Sequence, residues 1–474
     1  MLNKFIFPQD KKIFNEVWVL ALPVIVSNLS RVLMSLVDVA MVGRLGPEAL
    51  AAAGMGGMLV WGALSIMLGV RTSVQTVSSR RLGQNKTKEC IKALNNGFIM
   101  ASIYSVPVSL LCWFFGFIII PLFVIDEITT PLAISYFSIS SLGLFFNSIS
   151  FVFQGFFTGI EKTKVLLSVT ISSNIINVYF NIGLIYGKNL ISKVSVDNLG
   201  EFFDISVFWF WARFDGFGVT GAAIGTLIAS AWMMFHYYIY LNRQEIIKNN
   251  KGIINVGFDK NMLIKQIKLS VPMGIQEMMI AIGWSVFYKI MAIIGIIELA
   301  TTQLLFTIMH ASFMPALGVG QACATLVGKY MGSKQIEKSE ASIRESLRIA
   351  EYIMGSMGIV FILFPEQILM LFTNDQNIID VGIWGLRLIG LIQFVDAIAF
   401  TMFLALTGAG NTLYPALAES LLIWLFMLPT SYYFGVLKNF GFKGPWIVFA
   451  VYLLFLATTL TIKVKKGDWK EIEV

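Results

Sequence analysis

Long apolar runs broken by short polar turns dominate this chain from end to end. Twelve runs are long enough to matter: 17–43, 49–77, 91–125, 132–157, 165–187, 217–241, 266–295, 299–327, 343–372, 380–406, 414–437 and 446–464. They are apolar on every face, so they cannot be the half-buried helices of a water-soluble domain. In hydrocarbon no water satisfies the backbone, and roughly 20 apolar residues in helical form are what cross it. The pattern predicts an all-α membrane protein with 12 transmembrane helices.

Composition agrees. Of 474 residues, 57% are apolar and only 13% charged, about half the charged share of a soluble domain. The first run follows Lys4, Lys11 and Lys12, is long enough to span, and lacks a small-residue cleavage site, so it reads as a membrane helix rather than a signal peptide. Cys90, Cys112 and Cys323 are scattered and odd in number, which implies neither a disulfide framework nor a cysteine-based metal site.

A net charge of +7 invites a nucleic-acid reading, but the placement of the charge excludes it. Of the 35 Lys and Arg residues, 25 fall on the side of the two termini and the even-numbered loops. Six fall opposite: Arg44, Lys188, Lys193, Arg213, Lys438 and Lys443. Four lie inside helices: Arg31, Arg71, Lys289 and Arg387. The positive-inside bias therefore predicts both termini in the cytoplasm, with the protein multi-pass in the cytoplasmic (inner) membrane. The basic side meets anionic lipid headgroups.

The chain also repeats itself. Pro23 pairs with Pro272, an offset of 272 − 23 = 249. The same offset pairs Gly46 with Gly295, Ala51 with Ala300, and Leu68, Gly69 and Val70 with Leu317, Gly318 and Val319. Further along it pairs Thr76 with Thr325, Gly83 with Gly332, Thr158 with Thr407, Gly159 with Gly408, and Thr163 with Thr412. The register then shifts. Gly218 and Gly221 match Gly441 and Gly444 at an offset of 223, which places an insertion of 249 − 223 = 26 residues in the first half. It belongs around 188–215, where Phe202, Phe203, Phe208, Trp209, Phe210 and Trp211 predict an amphipathic piece at the interface. Each copy has six helices, so both enter from the same side as parallel repeats. The expected organisation is an N-terminal six-helix lobe over 1–246 and a C-terminal one over 247–474, joined by the Lys- and Asn-rich stretch 242–268.

Several motifs carry a family resemblance. Leu22 and Pro23 are followed by Asp38-Val39-Ala40-Met41-Val42-Gly43-Arg44-Leu45-Gly46 and Leu50-Ala51-Ala52-Ala53. Gly69-Val70-Arg71-Thr72 leads to Arg81-Leu82-Gly83, and Gly318-Val319-Gly320 leads to Val327-Gly328-Lys329-Tyr330-Met331-Gly332. Gly408-Ala409-Gly410-Asn411-Thr412 follows the tenth run. Over nearly the whole chain this resembles the multidrug and toxic compound extrusion (MATE) family. The resemblance implies cation-coupled efflux by alternating access of two six-helix lobes.

Ionisable groups in hydrocarbon cost about 2.5–3.5 kcal/mol on insertion scales, so each is a candidate site. Asp38 lies near the outer end of the first helix, roughly 8 Å deep at 1.5 Å per residue. On the fifth helix Asn177 and Asn181 share a face, and Asn174 extends that stripe. With Thr226 on the sixth helix, these residues can meet in the outer half of the N-terminal lobe. One carboxylate among amide and hydroxyl oxygens is a hard-oxygen site for Na⁺. A desolvated carboxyl also favours its neutral, proton-carrying form. The resemblance puts a cation-binding cluster at Asp38, Asn177, Asn181 and Thr226, with Asn181 where some members have a second acid.

The C-terminal lobe holds a second set. Asp396 matches an acid used by some members of the family. Their partner glutamate falls at Ile280, and this chain instead has Glu277, about one turn earlier. Asp396 and Glu277 read either as a second ion site or as structural pairs, and Lys289 is a possible neutralising partner for Asp396. Arg31, seven residues before Asp38, reads as lining the cavity, and Asn147 and Gln154, seven apart on one face of the fourth helix, read as pointing at the lobe interior or the central cleft. His310, mid-helix, reads as a satisfied interior histidine or as a group able to titrate near neutral pH. Met34, Met41, Met55, Met58, Met278, Met279 and Met309 offer an adaptable apolar wall. Phe287 stands where the repeat would place a second Asp38.

The leading expectation is an H⁺- or Na⁺-coupled antiporter that exports organic, cationic or amphipathic compounds. The alternative is a flippase for lipid-linked saccharides, which would use the intramembrane cations. No catalytic cluster of Cys or His and no phosphate-cradling Gly-Lys-Thr loop is present, so an enzyme or an ATP-driven pump is not expected. The expected partners are small organic substrates and membrane lipids, with no nucleic acid and no cofactor beyond the coupling ion. The expected state is a monomer.

Overall fold

A computed structural model describes residues 7–123, 125–199, 208–250, 252 and 256–473, with side chains described for all of these except 189–199. Twelve helices are long and apolar enough to span: α1 (Lys11–Gly43), α2 (Pro47–Gly83), α3 (Thr87–Leu122), α4 (Thr129–Gly159), α5 (Lys164–Lys188), α6 (Gly218–Arg243), α7 (Lys260–Ile294), α8 (Ile296–Gly332), α9 (Ile336–Leu363), α10 (Gln376–Gly408), α11 (Leu413–Leu437) and α12 (Lys443–Lys466). No strand occurs among the described residues. The protein is an all-α, multi-pass membrane protein.

Helix ends differ from the hydropathy reading where proline intervenes. The ninth apolar run continues to Phe372, but α9 stops at Leu363 and a separate short helix covers Pro365–Met370. Pro365 has no N–H to continue the ladder, and it drives Phe364 to φ −125°, ψ 43°. The third run ends in a 3₁₀ turn, Ile120–Leu122, that contains Pro121, so Ile125 lies beyond the helix. Pro429 sits between two π-helical segments of α11, Leu422–Met427 and Tyr433–Leu437, where the ladder widens to absorb the missing donor. The helix of α2 is interrupted at Ile66. Pro23 and Pro272 lie inside unbroken α1 and α7.

The inserted segment begins at a left-handed Gly187 (φ 69°), after which the chain re-enters helix as far as Leu199. Phe202 and Phe203 fall outside the described residues. The aromatic stretch beyond them divides by side. Phe208 and Phe210 are 68% and 64% exposed. Trp209 and Trp211 turn in and donate to Tyr179 of α5, to its carbonyl at 2.7 Å and its hydroxyl at 2.8 Å.

Each half builds a large apolar core of its own. One runs from Val24 to Val256, the other from Phe287 to Trp469. A smaller cluster joins the halves: Ile13, Val17, Leu20 and Ile25 of α1 pack on Ala316, Val319 and Leu326 of α8 and on Ile349 and Met354 of α9. Glycines permit the closest approaches, and they come in repeat-related pairs. A Cβ on Gly83 would overlap the Lys329 carbonyl, and one on Gly332 would overlap the Arg80 carbonyl. Threonines obey the same symmetry. Thr76 Oγ1 donates to the Thr407 carbonyl at 3.0 Å, and Thr325 Oγ1 donates to the Thr158 carbonyl at 3.2 Å. These residues are the motif positions that define the 249 offset.

The bonds between halves gather toward the side that carries the termini. Arg71 Nη2 donates to Gln321 Oε1 (2.6 Å), and Gln75 Nε2 donates to the Gln321 carbonyl and to Thr325 Oγ1. Lys329 pairs with Glu161 at 2.7 Å, Tyr330 donates to Glu16, and Glu345 accepts from the Gln9 and Asp10 amides. At the start of α7, Asp259 caps the helix and pairs with Lys92 at 3.0 Å.

Candidate functional site

The site grows from the seam between α1 and α5, two helices running the same way. On α5 the polar positions Thr170, Asn174, Asn177 and Asn181 repeat at helical spacing and face α1. Thr170 Oγ1 meets Ser27 Oγ at 2.7 Å. One turn on, Asn174 Nδ2 donates to the Ser30 carbonyl (3.0 Å) and hydroxyl (2.8 Å). Asn174 therefore ties the two helices together and does not join the outer cluster that its stripe predicts.

Near the far end of the seam, Asn181 Nδ2 donates to Asp38 Oδ1 at 2.8 Å and to Asn177 Oδ1 at 3.0 Å. Asn177 Nδ2 in turn reaches Thr226 Oγ1 on α6 at 3.5 Å. All four residues of the expected cluster are thus brought together from three helices. Asn181 is only 1% exposed, and its Oδ1 has no hydrogen-bond partner among the described residues. Gly225 makes room for it, because a Cβ there would overlap that same oxygen. The arrangement offers a carboxylate, a neighbouring unused amide oxygen, and a second amide and a hydroxyl behind them.

The repeat places a matching seam between α7 and α11. Ser27 and Thr170 become Gln276 and Glu419, and this pair is also bonded, Gln276 Nε2 donating to Glu419 Oε2 at 2.7 Å. Tyr452 of α12 donates to Glu419 Oε1 at 3.4 Å. Glu277 on α7 and Asp396 on α10 both lie within electrostatic reach of Glu419. The second half thus gathers three carboxyl groups, about 16 Å deeper along its seam than the level of Asp38, counting eleven residues of helix. Where Asp38 and Thr226 stand in the first half, the second has Phe287 and Phe449, both packed on Trp284.

Comparison with known proteins agrees with this duplicated frame. The MatE family model matches twice, over residues 23–182 and 272–433, so its two starts stand 249 residues apart. The chain belongs to the MatE family. It is similar to the probable multidrug resistance protein NorM of Thermotoga maritima, at 25% identity over 99% of this chain and 96% of that one. Its fold matches a crystal structure of MATE in the straight conformation, with TM-score 0.84, 18% identity and 99% of both chains covered. It also matches a MOP superfamily transporter from Pyrococcus furiosus, whose binding pocket is described as of reverse polarity (TM-score 0.81, 17% identity, 99% of both chains). As a MatE protein the chain is a membrane transporter and not an enzyme.

The other candidates of this MatE chain distribute as follows. Arg31 donates to Asn28 Oδ1 at 2.7 Å and lies within electrostatic reach of Tyr237 and Arg71. Arg71, 7% exposed, also reaches Glu277 of the other half. Arg31, Arg71, Glu277, Glu419 and Asp396 therefore form a chain of charged groups across the middle of the molecule. Gln154 is buried inside the first half, and its Oε1 has no partner among the described residues. Asn147 points into its own half, donating to Ser230 Oγ at 3.0 Å. Lys289 and His310 are exposed. No ion pair joins Lys289 to Asp396 among the described residues; Lys289 is exposed, and Asp396 lies within electrostatic reach of Glu419. His310 rests edge-on against Phe313. No group of three His, Cys, Asp or Glu side chains able to hold a metal occurs among the described residues. Glu419 is the residue that reading each helix alone undervalues. Its signal is the repeat register, which pairs it with Gln276 as Thr170 pairs with Ser27.

Proposed function

We propose that the protein is a cation-coupled antiporter that exports organic cations or amphipathic compounds, with Asp38 as the coupling carboxylate. The observation that carries the reading is the Asn181–Asp38 hydrogen bond, with a buried, unused amide oxygen on the same side chain. In the ionised state Asn181 Nδ2 donates to Asp38. Once Asp38 takes a proton, its O–H needs an acceptor, and a half-turn of the Asn181 amide supplies Oδ1. The same turn places an amide oxygen beside the carboxylate, which suits Na⁺. Asn177 and Thr226 complete the set in either case.

The carboxyl groups Glu277, Asp396 and Glu419 line the second half as a negative site for the organic cation or a second coupling ion. The multidrug name of the Thermotoga relative supports this substrate class. In the inner membrane, with both termini cytoplasmic and the chain acting as a monomer, the closed terminal side corresponds to a state open outward. Coupling then follows from differential affinity, because an ion can shift the two-state equilibrium only if it binds one state more tightly.

Arg31 and Arg71, in mutual reach at mid-depth, favour a second reading in which a lipid-linked saccharide phosphate is moved instead. Substrate efflux from inverted vesicles under an imposed pH or Na⁺ gradient separates the two. The expected result is gradient-driven efflux of an organic cation that Asp38→Asn abolishes. Transport indifferent to the gradient, or undiminished in Asp38→Asn, would sink the antiport reading.

A further inference from the structure

A cavity of about 490 Å³ opens on the terminal side, where the two halves meet, far from the Asp38 group. Its walls come from the end of α2 (Arg80, Arg81), the start of α7 (Lys265), the α8–α9 turn (Lys334) and the tail after α12 (Lys470). Two of these cations are neutralised locally: Arg81 pairs with Glu89 at 2.9 Å, and Lys470 pairs with Glu340. Of the other three, Arg80 lies within electrostatic reach of Glu473 at the rim, whereas Lys265 and Lys334 have no such partner among the described residues. Arg80 is 5% exposed and spends its Nη2 on two neutral carbonyls, of Ala409 (3.1 Å) and Ile472 (2.9 Å). Its Nε has no acceptor among the described residues. Lys265 and Lys334 are exposed and have no ion pair among the described residues. Glu471 and Glu473 at the rim are exposed and leave the balance positive.

Capping of helix C-termini accounts for the Nη2 bonds of Arg80. It does not account for two unpaired lysines converging on one cavity. A phosphate group answers this, because its oxygens accept from several ammonium donors at once. The wall residues sit at helix ends and in the turns and tail beyond them, where a bilayer presents its headgroups.

We propose that this cavity binds a phosphate-class anion, either the headgroup of an anionic phospholipid or a soluble phosphate. The bound anion bridges α2, α7, the α8–α9 turn and the C-terminal tail. It therefore holds the two halves together on the terminal side.

The test uses the full-length protein in detergent at constant ionic strength. Its thermal unfolding midpoint is followed against inorganic phosphate, dihexanoyl phosphatidic acid, dihexanoyl phosphatidylcholine and chloride. Phosphate or phosphatidic acid should raise the midpoint above the chloride and phosphatidylcholine values. In the double variant Lys265→Gln, Lys334→Gln the half-saturating concentration should rise at least about tenfold, the cost of one charge-assisted hydrogen bond. A Lys11→Gln, Lys12→Gln variant, changed on the same side but outside the cavity, should respond as wild type. A response to phosphatidic acid alone identifies the headgroup as the source, and a response to inorganic phosphate as well identifies a soluble anion. The proposal is overturned if phosphatidylcholine or chloride stabilises equally, or if the shift survives in the Lys265/Lys334 variant.

Discussion

At the scale of single residues, Asp38 and Asn181 behave as one unit. Replacing Asn181 with Ala removes the donor to Asp38 and the tie to Asn177 together. A buried hydrogen bond to a charged group contributes about 1.5–3 kcal/mol, so Asn181→Ala should lower thermal stability and weaken gradient-driven transport. Gly225→Ala tests the same point from behind, by pushing on Asn181 Oδ1 without removing a polar group. It should depress coupled efflux while leaving the midpoint within a few degrees of wild type, and efflux equal to wild type would show that the position of Asn181 is not critical. Asp38, Asn177, Asn181 and Thr226 were legible in the sequence because depth and helical face suffice to bring them together. Glu419 was not. A lone glutamate in an apolar run carries no sign of its partners, and Gln276 and Tyr452 come from helices whose azimuth no hydropathy pattern reveals. Asn174 fits its stripe yet bonds to Ser30, because α5 meets α1 along its whole length and the seam consumes the inner positions.

At the scale of elements, α2 and α8 decide how the halves close. Thr76→Val should remove one cross-half hydrogen bond, about 0.5–1.5 kcal/mol, and Thr325→Val should cost more, because Thr325 Oγ1 also accepts from Gln75 Nε2. Gly83→Val or Gly332→Val acts more strongly by forcing side-chain atoms against a backbone carbonyl. Spin labels at Lys86→Cys and Lys334→Cys would read the result as a longer mean distance in every variant. Cys90 and Cys323 are buried and stay unlabelled, so only Cys112 needs replacing. At the start of α7, Lys92 and the first helical amides of α7 hold the Asp259 carboxyl below its ordinary range. A depressed carboxyl contributes stability above its unfolded value and loses it only as pH falls through the depressed one. Asp259→Asn should therefore cost stability at neutral pH and nothing in strong acid, as followed by thermal unfolding from pH 7 downward. The helices themselves were legible to within about two turns, most of them running past the apolar stretch into polar residues as at Lys11 and Ile336, and the largest error fell at Pro365, where backbone chemistry overrides hydropathy.

At the scale of the whole molecule, the Lys and Arg asymmetry predicts a cytoplasmic terminal side. Membrane-impermeant maleimide should label Lys86→Cys only in inverted vesicles and Asn439→Cys only in intact cells. The reverse pattern would invert the direction of transport. The repeat was legible because glycine and threonine at helix crossings leave little freedom to drift. The path of the inserted segment was not, since aromatic residues at an interface do not specify which of them turn inward. Trp209 and Trp211 do so only because Tyr179 offers them acceptors.

The paired crossings of Gly83 with Lys329 and Gly332 with Arg80 carry one more consequence. They have the geometry of an isologous contact, in which one patch meets its own copy across a two-fold axis. In a pair of separate, identical six-helix chains, any substitution in that patch would strike the contact twice. Fusion into one chain breaks this link, because each side of the crossing is now encoded independently. Arg80 and Lys329, equivalent by register, have already parted: one holds the Ala409 and Ile472 carbonyls, the other the Glu161 carboxylate. The same independence allows Asp38 in one copy and Phe287 at the equivalent place in the other.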